Sequence, residues 1–147
     1  MVGMKFRSER FRFAVEFSHG VALVRLGETE ERWPIDAHSG FGDPQIISET
    51  EFEALVFGTR AVLATKEASW VIRCDFPIWD IANANGSILV VEELGFRTFS
   101  SAGAMLASAM PMDIPYAWSV TPEGLRYEDF DRNRSLWSLP GLELLEG

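Results

Sequence analysis

Asp36 and His38 stand one residue apart in the stretch "WPIDAHSGFGDP", residues 33–44, and Asp43 follows on the same loop. Carboxylate and imidazole together are a ligand mix for zinc, iron or manganese. The same three groups could also do acid–base work, with Asp36 orienting the His38 imidazole. A small metal-dependent or acid–base hydrolase is therefore one reading of this chain. The ligand count opposes it: a protein metal site normally takes three or four ligands, and His19 is the one other histidine. The alternative is an ordered loop that forms a contact surface.

The other chemistries are weaker. "FSSAG" has the Ser and final Gly of a nucleophile elbow, but Phe99 stands where the first Gly belongs and both histidines precede Ser101. A helix cap is the better use of Ser100 or Ser101. "YEDFDR" clusters Glu128, Asp129 and Asp131 without the glycine and ligand spacing of a calcium loop. No phosphate-cradling glycine loop occurs. The single Cys74 excludes an internal disulfide and falls on the apolar side of an alternating run, where a small buried thiol is the ordinary tenant. No metal and no cofactor is assigned, and the balance lies against an enzyme.

Charge and aromatics carry the remaining signal. The chain of 147 residues has a net charge of −9. Residues 27–58 hold eight acidic and one basic residue, a local −7. Such a field repels phosphate backbones, so nucleic acid is not an expected partner. It attracts a basic protein. Glu28, Glu30 and Glu31 lead into Trp33, and Trp137 follows "DRNR"; aromatics within charged rims are what contact surfaces use. The competing reading has both indoles turned inward as loop anchors. The expected contact set is Glu28, Glu30, Glu31, Trp33, Asp36, His38, Asp43 and Trp137.

These residues need a frame. "RFRFAVEF" alternates with the period of a half-buried strand, and "SHG" with "VALVRL" completes a hairpin turning at Gly20. "IWDIANANGSILVVEE" is a second hairpin, because Asn85–Gly86 suits a type I′ turn. "YAWSV", "TPEG" and "LRYEDF" read as a third, and "FRTF" as a further strand. Ser48 and Glu51 spell a capping box, predicting a helix with Phe52, Leu55, Val56, Val62 and Leu63 on one stripe. Ala102, Met105, Leu106, Ala109 and Met110 predict a second helix over 101–110, which carries no charge and offers a face for a homodimer. The expected fold is a single α+β domain over 1–147, a mostly antiparallel sheet of hairpins in the order ββ-α-βββ-α-ββ with two helices on it.

The N-terminus has charges where a signal peptide needs an apolar run, and no apolar segment is long enough to span a bilayer. The expectation is a cytoplasmic protein with no membrane contact. In size, acidity and lack of a catalytic set the chain is similar to bacterial immunity proteins as a broad class. That likeness implies an inhibitor of a basic partner such as a nucleic-acid-degrading toxin. A structural subunit of a larger assembly is the further alternative.

Overall fold

A computed structural model describes residues 4–8, 13–18, 20–34, 44–111 and 114–147. Among them the chain is all-β, with sixteen strands and no helix. The α+β expectation is therefore wrong. The strands form four antiparallel four-stranded sheets, and in each the strands neighbour one another in chain order. Two compact units divide the chain, Met1–Pro77 and Ile78–Gly147.

The first unit holds two sheets. One comprises β1 (Met4–Arg7), β2 (Phe13–Ser18), β3 (Val21–Leu26) and β4 (Thr29–Pro34). The other comprises β5 (Gln45–Ser48), β6 (Glu53–Phe57), β7 (Arg60–Ala64) and β8 (Ser69–Arg73). In β2 the alternation works as expected: Phe13, Val15 and Phe17 are buried and their neighbours half-buried. Ser18 pairs with Val21, and Gly20 before β3 takes φ 77°. The core joins these side chains to Trp33, Leu55, Phe57 and Val62. Phe17 meets Phe57 edge-on at 5.4 Å, a favoured aromatic geometry. Ser8 donates to the buried Glu53 carboxylate at 2.7 Å, a second tie between the two sheets.

The second unit also holds two sheets. Its first comprises β9 (Ile78–Ala84), β10 (Ser87–Glu92), β11 (Gly95–Phe99) and β12 (Met105–Ala109). Its second comprises β13 (Pro115–Thr121), β14 (Gly124–Asp129), β15 (Arg134–Trp137) and β16 (Leu144–Glu146). Asn85 and Gly86, at φ 54° and 98°, turn β9 into β10 as a type I′ pair must. Every residue of β10 is buried, which explains its lack of alternation. Phe96 sits against Tyr127 at 5.1 Å and Trp137 at 6.5 Å, linking the sheets through their aromatic faces.

Both expected helices are strands and turns. Ser48 closes β5 instead of capping a helix, and Glu49 N–H bonds to the Phe52 carbonyl in a tight connection to β6. Leu55, Val56, Val62 and Leu63 are all buried, on two paired strands joined at Gly58, whose φ is 63°. A doubly covered strand is apolar at every position, so a helical stripe can always be drawn through it. The second error has a different cause. Ser100 to Gly103 form a turn, and Met105–Ala109 pair with β11. Their small side chains fit a strand as well as a helix. A homodimer through a helix at 101–110 has no basis, because no helix exists there. Nor does any helix among the described residues have the length and apolarity to cross a membrane.

Candidate contact surface

The acidic strand comes first. Glu28 and Glu30 are exposed on and beside β4, but Glu30 is paired with Arg25 at 3.0 Å and Glu31 with Arg73. Two of these three glutamates from the expected contact set thus already have cations. Trp33 is 1% exposed and packs against Phe57 at 5.0 Å, with the Arg60 guanidinium over its ring. Alternation along β4 turns it inward while Glu30 and Arg32 face water. Trp137 is half-buried; its indole N–H donates to Ser135 Oγ at 2.8 Å and its ring joins the core of the second unit. Both indoles therefore anchor inward. Asp36, His38 and Asp43 lie outside the described residues. Among the described residues no group of three His, Cys, Asp or Glu side chains could hold a metal.

The acidic cluster near Glu128 is structural. Glu128 accepts from Arg134 at 3.1 Å and from Arg132 at 3.5 Å. Asp129 is buried and accepts the backbone N–H of Asn133 at 2.8 Å, closing the β14–β15 turn. The Arg132 guanidinium lies 3.7 Å from the Tyr116 ring centre. Hydrogen bonding to Tyr116 leads the influences that raise its pKa above the ordinary arginine value, and Glu128 adds to them.

What the sequence did not reveal is a set of four bulges. Asp80 faces Val91 while Ile78 faces Glu92, so Trp79 is an extra residue in β9. Ala107 faces Thr98 and Met105 faces Phe99, which leaves Leu106 extra in β12. By the same reading Tyr116 is extra in β13 and Leu145 in β16. All four are exposed large apolar side chains, at 37%, 48%, 47% and 53% of their surface. All four sit on the edge strands of the second unit's sheets. The described strand pairs of the first unit have no such shift.

A bulge breaks the ladder and re-aims a side chain. On an edge it also discourages pairing with another strand, a task usually given to lysine or another charge. Here the re-aimed groups are two aromatics and two leucines. Tyr116 extends its patch to Phe130, ring centres 5.6 Å apart and Phe130 56% exposed. Trp79 extends its own to Trp118, 6.1 Å away at a tilt of 39°. Of the exposed large hydrophobic side chains described, all but Ile46 belong to the second unit. That unit also carries ten acidic and four basic residues, a net −6.

No family model and no curated protein matches the sequence. Among solved structures the chain is similar to the crystal structure of the N-terminal domain of Nup159, with a TM-score of 0.50 and 11% identity. The match covers 99% of this chain and 43% of that one, so the chain spans under half of its structural neighbour. That neighbour is a β-propeller. Four-stranded up-and-down sheets in chain order are the blades from which propellers are built. The likeness is one of fold alone.

Proposed function

We propose that this chain is a protein-interaction module that binds a basic partner, and that the second unit makes the contact. The observation that carries the reading is the coincidence of four bulges with four exposed apolar side chains. Edge protection alone would be served by charge, whereas apolar anchors surrounded by polar residues are the composition of a contact surface. The net −6 of the same unit supplies the sign of the partner. Opposite charge speeds encounter and apolar anchors slow release, so the two features act on different rates. An inhibitor or immunity-type protein that blocks a basic, nucleic-acid-degrading toxin is the role this charge complement supports.

The test is capture and identification of the protein that co-purifies from the native host, followed by binding kinetics with Leu106→Ser and Tyr116→Ser. Both variants should fold as the parent does and release the partner at least about tenfold faster, equivalent to 1.4 kcal/mol. Unchanged dissociation in both would remove the bulged residues from the interface. An acidic partner would overturn the charge argument.

A further inference from the structure

Of the exposed aromatics, Trp79 has a neighbour that changes what it can hold. Asp80 follows it on the bulge, and the two residues belong to the irregular part of β9, where strict alternation of side chains fails. The Asp80 carboxylate accepts the N–H of Ile81 through Oδ1 at 2.9 Å and the indole N–H of Trp118 through Oδ2 at 3.4 Å. Those two bonds fix the carboxylate and the second indole together. A carboxylate offers about four acceptor positions, and these two bonds use two of them. A second link joins the turn after β9 to the end of β13, where Asn85 Nδ2 donates to the Thr121 carbonyl at 2.9 Å. Two hydrogen bonds thus link β9 and its turn to β13, and the two indoles with their carboxylate form a corner.

We propose that Trp79, Trp118 and Asp80 form a receptor for a basic side chain, the ammonium of a lysine or the guanidinium of an arginine presented by the partner. This rests on the reading of the second unit as a contact surface for a basic protein. Indole has the most attractive face of the aromatic side chains for a cation, and a cation within about 6 Å of the ring centre gains from it. With ring centres 6.1 Å apart at a tilt of 39°, one cation can lie within about 6 Å of both. The carboxylate adds a charge-assisted hydrogen bond and sets the sign of the guest. Competing cations nearby are already engaged: Arg126 pairs with Glu123, and Arg134 with Glu128. The same unit builds this chemistry internally, with Arg132 over Tyr116.

The experiment uses the full chain with labelled tryptophan, whose five indole N–H groups give five resolvable signals. Three short Gly/Ser peptides are titrated to millimolar concentration, identical except for one central lysine, arginine or norleucine. Norleucine keeps the apolar stem and removes the charge. The lysine and arginine peptides should shift the Trp79 and Trp118 signals and bind about fivefold or more tighter than the norleucine peptide. Asp80→Asn should cut that preference; with one oxygen in place of two, its amide keeps the Trp118 indole bond only by giving up the one from the Ile81 N–H. Trp79→Leu keeps an apolar residue on the bulge and should weaken both charged peptides. Equal affinity for all three peptides, or no shift at either indole, overturns the receptor. That failure would leave the module reading standing on Leu106 and Tyr116, whose test involves no cation at this corner.

Discussion

The Thr98 hydroxyl donates a 2.6 Å hydrogen bond to the carbonyl of Pro140. Thr98 is fully buried in β11, and Pro140 lies in the connection between β15 and β16, so this bond ties the two sheets of the second unit. Thr98→Val keeps the shape and removes the donor. The expected loss is about 1 kcal/mol of unfolding free energy, rising toward 3 if water does not replace the hydroxyl. Urea unfolding with an unchanged slope is the measurement, and a shift of only a few tenths would show that the carbonyl is readily hydrated.

Gly124 opens β14 at φ 143°, and a Cβ built there would lie 2.2 Å from the Trp137 carbonyl oxygen. Gly124→Ala must therefore push β14 from β15 or distort both. Gly86 also has positive φ, at 98°, but a Cβ there meets nothing within 4 Å. Gly86→Ala should cost about 1–2 kcal/mol from backbone strain alone, and Gly124→Ala clearly more. Equal losses in thermal unfolding would mean that the close approach relaxes freely.

Trp33 belongs to the core of the first unit, so its removal is an event of stability. Trp33→Ala should destabilise by about 3–5 kcal/mol, the range for deleting a large buried aromatic. A variant as stable as the parent that has lost only partner binding would reinstate Trp33 as a surface anchor.

Reversing Glu30 and Glu31 to Lys breaks the pairs with Arg25 and Arg73, whose side chains are all substantially exposed. Each such pair contributes at most about 1 kcal/mol, so the domain should remain folded. The double change moves the net charge from −9 by four, to −5. Association with a basic partner should slow and depend less on salt, while dissociation stays as it was. Faster dissociation would place β4 inside the interface.

Much of the local architecture is legible in the residues. Phe13, Val15 and Phe17 alternate, Asn85–Gly86 demands its turn, and Gly20 accepts a conformation other residues resist; each is settled within a few positions of the chain. Val62 and Leu63 fit a helical stripe because a strand covered on both faces and a buried helix have the same composition. Only pairing with β6 and β8 separates them. The direction of Trp33 is likewise set by which face of β4 meets Phe57, a residue more than twenty positions away. The bulges lie furthest from sequence reading. Trp79 and Tyr116 are extra residues only relative to the strands opposite them, since register belongs to a pair of strands and not to either one. Propensity and turn chemistry act through neighbours in the chain, and they wrote the hairpins. Register and burial act through neighbours in space, and they chose which aromatics reach water.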